Sequence, residues 1–284
     1  MEKFNNKVGN IPALTDEERL LISRAAELSA RCDYQAVASC FLSPREQRIL
    51  YESGVEAGGF FYGGAPGATR RKLIFLPSWM EATSIRDGAF SLRSEEMLLE
   101  ALKSYGALDS LDAFYTPVRL VSSGYEALSH RDWLGSLMAL GIKRETLGDI
   151  CFFGGETYVF AEPRAAEYIA LELNKAGRAK VSGEICTLPE DFCPEIAFEN
   201  ISTTVASPRL DGVVRALCNI SRESAADLVT SGLCEINYFT EIRPDTTVKG
   251  GDVVSLRGYG KYIIDSTDGV TKKGRCRLTA RKYI

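Results

Sequence analysis

The feature that most constrains the fold is the order of strand-like and helix-like segments in residues 112–186. Apolar runs predict four strands and helical spacing predicts two helices. In chain order these are a strand at 113–121, a helix at 129–140, strands at 148–153 and 156–161, a helix at 163–176 and a strand at 178–186. Gly154 and Gly155 form a tight-turn signal between the middle strands. The order β-α-β-β-α-β is that of the ferredoxin-like split unit, so we expect a ferredoxin-like domain over residues 111–200.

The segment before this domain opens with two helix-start signals. Thr15 with Glu18 and Ser43 with Glu46 have the spacing of capping boxes. Two strands and one further helix are then expected at 55–64, 72–78 and 94–104. We therefore expect an N-terminal α/β domain over residues 1–110.

The last segment predicts two short helices and a small sheet. Ser207 is a candidate cap with Pro208 at the first helical position, and Ser221 is the candidate cap of the second helix. Strands follow at 234–237 and 253–257. The chain is thus expected to be α+β, with a C-terminal two-helix-plus-small-sheet domain over residues 201–284.

The net charge of -4 conceals an uneven distribution. A pI of about 5.4 argues at face value against a nucleic-acid binder. However, residues 203–284 hold 13 bases and 9 acids, whereas the remaining 202 residues hold 21 bases and 29 acids. Because salt confines a surface field to about 8–10 Å, a basic segment on an acidic body is able to bind a phosphate backbone. The alternative is a solvated basic surface without a partner.

Composition restricts the class of protein further. Hydrophobic residues at 45% and charged residues at 25% are typical of a globular chain. Residues 1–30 lack a signal-peptide pattern, and no window has the ~18 apolar residues of a membrane span. The eight cysteines contain no CxxC pair and the chain has one histidine, which disfavours structural zinc. We expect a cytoplasmic protein with reduced thiols, no metal, no cofactor and no small-molecule substrate.

The last third of the chain resembles the small RNA-binding domain named for ribosomal protein S-four. The resemblance rests on Ser207-Pro-Arg-Leu-Asp-Gly-Val-Val, Ser221-Arg222, Leu228-Val229, Gly232, Ile236-Asn237 and Gly251-Asp252-Val-Val-Ser-Leu-Arg257-Gly258. It implies an RNA clamp in which the two helices present basic residues at their N-termini. That agrees with physics, because free N–H groups and the helix dipole favour anions there.

The rest of the chain resembles the bacterial YlmH-type RNA-binding proteins. The segment from His130-Arg131-Asp132 through Lys143-Arg144 to Gly148-Asp149-Ile150 resembles their middle domain, and Phe41-Leu-Ser-Pro44-Arg45 with Phe60-Phe-Tyr-Gly-Gly their N-terminal domain. This resemblance implies a non-enzymatic protein that binds ribosomal RNA or tRNA on the large ribosomal subunit. It further implies a role in rescue or quality control of stalled translation and a link with cell division.

The candidate RNA contacts are eight bases and one serine, namely Arg209, Arg215, Ser221, Arg222, Lys249, Arg257, Lys261, Lys272 and Lys273. A secondary RNA surface is expected at His130, Arg131, Lys143 and Arg144. The alternatives are ordinary surface arginines, charges that protect sheet edges, and bases that complement a helix C-terminus. Asp211, at the third expected helical position, is interpreted as structural, and no catalytic residue is expected.

The competing hypothesis is an RNA-modifying enzyme of the pseudouridine synthase or methyltransferase type. No Walker loop, HExxH or GxSxG motif occurs. The glycines from Gly63 to Gly67 lie between two expected strands, which is the wrong context for a cofactor loop. An active site without a known signature within residues 1–110 stays open.

Overall fold

The computed structural model describes residues 14–55, 58–80, 95–123, 128–269, 271 and 274–284. The chain divides into two compact units, Met1–Glu195 and Ile196–Ile284, which we call the first and second units. Within the described ranges, no helix has the length and apolar character needed to cross a membrane. Helices and antiparallel sheets occur in both units, so the expected α+β class is confirmed.

The first unit begins with two capped helices, α1 (Asp16–Ser29) and α2 (Pro44–Ser53). Both expected capping boxes are present: Thr15 Oγ1 accepts from the Glu18 amide at 3.2 Å, and Glu18 Oε2 accepts from the Thr15 amide at 2.9 Å. Three short strands form an antiparallel sheet in the order β1-β3-β2. They are β1 (Val37–Ala38), β2 (Gly59–Tyr62) and β3 (Lys72–Phe75), and α3 (Glu95–Ser104) follows.

The middle of the first unit has the element order that the sequence predicts, with one additional short strand. The elements are β4 (Thr116–Ser122), α4 (His130–Ala139), β5 (Leu147–Phe153), β6 (Glu156–Ala161), α5 (Pro163–Glu172), β7 (Lys175–Ala176) and β8 (Ala179–Ile185). The five strands form an antiparallel sheet in the order β5-β6-β4-β8-β7. The helix expected to end at residue 176 ends at Glu172, because Leu173 is extended and Gly177, at φ 58°, opens a hairpin between β7 and β8.

Two hydrophobic cores hold the described part of this middle sheet. One lies between the sheet and α4 and α5, and includes Trp133, Leu137 and Ile169. The other joins Phe41 and Phe60 of the N-terminal segment to middle-segment residues such as Cys151 and Phe160. Residues on either side of the boundary expected at 110 and 111 therefore share a core. The other expected boundary, at residue 200, lies five residues beyond the observed division.

The second unit places two helices on a six-stranded sheet. Its helices are α6 (Leu210–Cys218) and α7 (Arg222–Thr230). Its strands are β9 (Phe198–Val205), β10 (Cys234–Ile236), β11 (Phe239–Thr240), β12 (Val253–Leu256), β13 (Gly260–Ser266) and β14 (Cys276–Tyr283). The sheet order is β11-β10-β12-β13-β14-β9, and all pairings are antiparallel.

One face of this sheet packs on the two helices. Val213 and Val229 of the helices share a core cluster with Leu256, Tyr262 and Leu278 of the strands. Because side chains alternate along a strand, the residues between these core positions point to the opposite face. We call the two sides the inner face, toward the helices, and the outer face.

The start of α6 differs from the expectation. Arg209, rather than Ser207, is the N-cap, and it makes no side-chain cap, so Asp211 is the second helical residue. The first helical amides instead bond to a neighbouring loop: Leu210 N donates to Thr246 O at 2.8 Å, and Asp211 N donates to Pro244 O at 2.9 Å. Tertiary carbonyls therefore satisfy the donors that a cap residue would otherwise satisfy.

Candidate nucleic-acid interface

A buried carboxylate joins the N-termini of α6 and α7. Asp211 Oδ1 accepts from Arg209 Nε at 3.2 Å and from the Gly212 amide at 2.9 Å. Its Oδ2 accepts from Arg222, from Nε at 3.2 Å and from Nη2 at 3.1 Å. Since Arg222 is the first residue of α7, these bonds bring two helix starts and two guanidinium groups together. We call Arg209, Asp211 and Arg222 the arginine cluster.

The charges of the arginine cluster suit an anion. The Asp211 side chain is only 6% exposed, whereas those of Arg209 and Arg222 are 45% and 72% exposed. Burial alone raises the pKa of Asp211, but the hydrogen bonds from Arg209, Arg222 and Gly212 outweigh burial and hold the pKa below its ordinary value. Asp211 is thus ionised at neutral pH and the cluster carries one net positive charge. Two helix dipoles add to that charge, so the arrangement favours a phosphate group.

Among the other candidates in the second unit, Ser221 adjoins this cluster at the start of α7, and the remaining described ones lie elsewhere in the unit. Ser221 caps α7, because its Oγ accepts from the Ser224 amide at 3.0 Å. Arg215 is exposed on the last turn of α6, and Lys249 and Arg257 are exposed in turns. Lys261 lies on the outer face, on the side opposite the helices, with its Nζ 5.1 Å from the ring centre of Tyr283. Lys272 and Lys273 lie outside the described residues.

The secondary candidates lie around the start of α4 and the turn before β5. His130 and Arg131 open α4 and are exposed, and Lys143 is exposed 4.0 Å from Glu145. Burial lowers the pKa of His130, and the nearby Arg144 guanidinium lowers it further. Arg144 itself is partly buried: its Nη1 donates to Leu147 O at 2.8 Å and to Gly148 O at 3.0 Å. Burial lowers the pKa of Arg144 to about 10, so it remains charged while it holds this turn.

Polar contacts also hold the N-terminal segment against β5. Asp149 accepts hydrogen bonds from the amide and hydroxyl of Thr69 and from the amide of Arg70. The Arg70 side chain donates to Phe41 O at 2.9 Å and to Leu147 O at 3.0 Å. Asp149, Thr69 and Arg70 therefore stabilise the fold of the first unit.

The sequence analysis missed a group of bases in the hairpin between β7 and β8. Lys175 pairs directly opposite Lys180, and Arg178 lies in the turn between them; all three are exposed. No ion pair neutralises them within the described ranges. Like charges directly opposite each other destabilise a hairpin, so this pair lowers stability while it concentrates positive charge at the surface. The signal was Lys-Ala-Gly-Arg-Ala-Lys, with glycine at the first turn position, which the overlong helix prediction obscured. We call these three residues the basic hairpin.

A pocket of about 540 Å³ in the first unit bears on the enzyme hypothesis. Its lining includes Tyr62, Asp109, Asp112, Tyr115 and Cys186. Burial raises the pKa of Tyr62 to about 12 and also raises the pKa values of Tyr115 and Cys186. The two phenols and the thiol are therefore neutral near pH 7, which is unlike an activated base or nucleophile. Among the side chains that the structure describes, no group of three or more His, Cys, Asp or Glu is placed to hold a metal ion.

Comparison with known proteins shows likenesses of three kinds. Residues 120–190 match a family model described as "Putative RNA-binding domain in YlmH". The ribosome-associated protein quality control protein P2 of Bacillus subtilis strain 168 is 29% identical over 269 residues, which cover 93% of this chain and 94% of that protein. The cell division protein ylmH from Streptococcus pneumoniae is 18% identical, with a TM-score of 0.39, over 63% of this chain and 96% of that chain. The chain is therefore similar over nearly all its length to a ribosome-associated quality control protein, and its middle segment is similar to the YlmH RNA-binding domain.

Proposed function

We propose that this chain is a non-enzymatic, cytoplasmic RNA-binding protein that recognises structured ribosomal RNA or tRNA on the large ribosomal subunit. Its role would be quality control of stalled translation. The observation that carries the proposal is the arginine cluster, in which Asp211 fixes two exposed guanidinium groups at two adjacent helix N-termini. The name of the Bacillus subtilis relative supports the ribosomal setting.

The arginine cluster favours a folded RNA over a particular base sequence. The major groove of an A-form helix is too narrow for side chains to read, so proteins recognise such RNA through its backbone and shape. Guanidinium groups held in a fixed geometry match phosphate oxygens in pairs. Arg209 and Arg222 would therefore contact phosphates whose spacing the RNA fold determines. This use of helix N-termini is also what the resemblance to the ribosomal protein S-four domain implies.

The basic hairpin supplies a second contact in the middle segment. Residues 120–190 hold seven bases and ten acids, so the segment that matches an RNA-binding domain is acidic on average. Three of those seven bases are concentrated in the basic hairpin, at the β7 edge of the sheet. A local positive field is sufficient for phosphate binding because salt screens the acids beyond about 8–10 Å. The basic hairpin, rather than Arg144, is thus our candidate RNA contact in this segment.

The test compares the parent chain with a double variant, Arg209→Ala with Arg222→Ala, in binding to labelled tRNA and to purified large subunits. Each lost charge-assisted contact is worth about 1.5–3 kcal/mol, so we expect the pair to lose at least about 3 kcal/mol, or roughly a hundredfold in affinity. Arg243→Ala is the matched control, because Arg243 is also 72% exposed and also pairs with a carboxylate, that of Glu241. Unchanged affinity of the double variant would refute the site.

Two further measurements address the setting and the enzyme hypothesis. In a lysate gradient at low salt, we expect the chain to migrate with large subunits, and free migration would contradict the ribosomal assignment. Incubation of the chain with tRNA or ribosomal RNA should leave every nucleoside mass unchanged. A new nucleoside mass would instead support the RNA-modifying enzyme. The link with cell division stays a prediction of the family resemblance.

A further inference from the structure

Three aromatic rings and two cations form a continuous row on the outer face of the second unit. Lys261 Nζ lies 4.8 Å from the ring centre of Tyr238 and 5.1 Å from that of Tyr283. Tyr283 pairs with Phe198 across β14 and β9, with ring centres 4.8 Å apart, and Arg281 lies 5.0 Å from the Phe198 ring centre. All five side chains are partly exposed, and none belongs to the core of the unit. We call these five residues the aromatic row.

Tyr238 occupies its place in the aromatic row in spite of an unfavourable backbone. Asn237 and Tyr238 are the two residues between β10 and β11, and their φ angles are 51° and 71°. A two-residue turn with both φ angles positive normally has glycine at its second position. The left-handed conformation is strained for a bulky side chain, and such strain is concentrated at functional positions. The positive φ angle of Tyr238 therefore makes its ring a candidate for a functional contact.

We propose that the aromatic row is a second RNA-binding surface, which holds unpaired nucleotides by stacking bases on its rings and pairing phosphates with its cations. The inference rests on the proposed function, since it assigns a further part of the same RNA to this unit. Surfaces that bind single-stranded nucleic acid combine exposed aromatic rings with a basic track, and stacking tolerates any base. Lys261, held between two rings, is fixed where it would meet a phosphate.

Charge on the outer face selects nucleic acid as the partner. Along the six strands of the sheet, side-chain alternation places three bases on this face, namely Lys261, Arg277 and Arg281. The same strands place two acids there, Glu235 and Asp265, and Asp265 pairs with Arg281 at 2.9 Å. The face is thus aromatic and carries one net positive charge, with its bases beside the rings, which complements a polyanion with flat bases. The sheet separates this surface from the arginine cluster, so the two surfaces would contact different parts of one RNA.

The test uses two labelled probes with the full chain. One is an unstructured RNA of about twelve nucleotides, within the range that such surfaces bind, and the other is a folded tRNA. Tyr238→Gly removes one ring and also relieves the backbone strain, so it should unfold no earlier in urea than the parent. Loss of one stacked base weakens binding by about five- to 150-fold, so we expect that loss for the unstructured probe with little change for tRNA.

Two further variants keep the test decisive. Phe198→Ala removes a second ring of the aromatic row and should repeat the loss, which covers the case in which Tyr238→Gly fails to fold. Tyr259→Ala removes a 38% exposed tyrosine from the turn between β12 and β13, outside the aromatic row, and should bind like the parent. Two results would show that the aromatic row does not bind unpaired RNA: both row variants bind the unstructured probe like the parent, or the parent binds tRNA but not the unstructured probe. Either result leaves the proposed function intact. If neither RNA binds the parent, the proposed function fails as well.

Discussion

Neutralising Asp211 separates two explanations of RNA binding by the arginine cluster. Asp211→Asn preserves the size of the side chain and removes one negative charge between Arg209 and Arg222. If net charge alone drives binding, this variant should bind RNA more tightly. If the carboxylate acts by holding the two guanidinium groups in place, the variant should bind less tightly.

The magnitudes favour the second outcome. Removal of one charge about 7 Å from a phosphate in water changes the binding free energy by roughly 0.6 kcal/mol, which is less than a threefold gain. Two released arginines must be immobilised again on binding, at about 0.5–1.5 kcal/mol each. The net expectation is a loss of about 0.4–2.4 kcal/mol, or roughly two- to sixty-fold in affinity.

The assay is equilibrium binding of labelled tRNA at fixed salt, with Glu241→Gln as the control. Glu241 is a carboxylate that also pairs with an exposed arginine, Arg243, in the same unit. Its neutralisation should leave affinity unchanged or slightly increased. Tighter binding by Asp211→Asn, to the same extent as by Glu241→Gln, would refute the positioning role and leave net charge as the explanation.

The same carboxylate should give a pH signature in stability. Because its pKa in the folded chain lies below the ordinary value of 3.8, its contribution is fully present above pH 3.8 and is lost as the pH falls through the folded pKa. Both arginines are substantially exposed, so solvent screening limits the contribution to about 0.5–2 kcal/mol. Urea unfolding should show a constant difference between parent and Asp211→Asn from pH 5 to 8, and a shrinking one below pH 3.8. A difference that grows on acidification would contradict this reasoning.

Three further predictions concern the first unit. Lys180→Glu replaces repulsion with attraction toward Lys175, so urea unfolding should show a gain of about 0.2–1 kcal/mol while RNA affinity falls; unchanged affinity would remove the basic hairpin from the interface. Asp149→Ala leaves the amides of Thr69 and Arg70 without their acceptor and should lower the free energy of unfolding by about 2–4 kcal/mol, as measured in urea. His130→Gln should leave tRNA affinity at pH 7.5 unchanged, because the pKa of His130 lies below 6.5 and the side chain is already neutral; a loss in filter binding would show a role beyond charge.

The elements that the sequence predicted well depend on neighbouring residues. The capping boxes at Thr15 and Ser43 are decided within four residues, and both formed as expected. The strand and helix order of residues 112–186 follows from apolar periodicity, which is local as well. The start of α6 was misplaced because its amides bond to Pro244 and Thr246, more than thirty residues later in the chain. No sequence pattern near the helix start predicts hydrogen bonds to carbonyl groups so distant in the chain.

The candidate sites show the same limit. The sequence identified Arg209, Arg222 and Asp211 separately, but the bond between Asp211 and Arg222 spans eleven residues and depends on how two helices meet. Whether a base lies on the inner or the outer face of the sheet depends on strand register. The register is decided by pairing between strands that are distant in the sequence. Tyr238 gave no signal, because its importance lies in a positive φ angle at a position where its residue type is unfavourable.

The structure contains two kinds of cation, and salt should distinguish them. The cations of the basic hairpin are exposed and unpaired among the described residues, so each acts as a simple counter-charge. Loss of one such cation should lower the slope of log affinity against log salt by about 0.7–0.9 per phosphate. Those of the arginine cluster are tied to Asp211, and Asp211→Asn leaves both arginines in the protein. The number of neutralised phosphates then stays the same, so this variant should lower affinity at every salt concentration while the slope is preserved. A parallel displacement for Asp211→Asn and a shallower slope for Lys180→Glu would together show that this protein uses geometry at one surface and bare charge at the other.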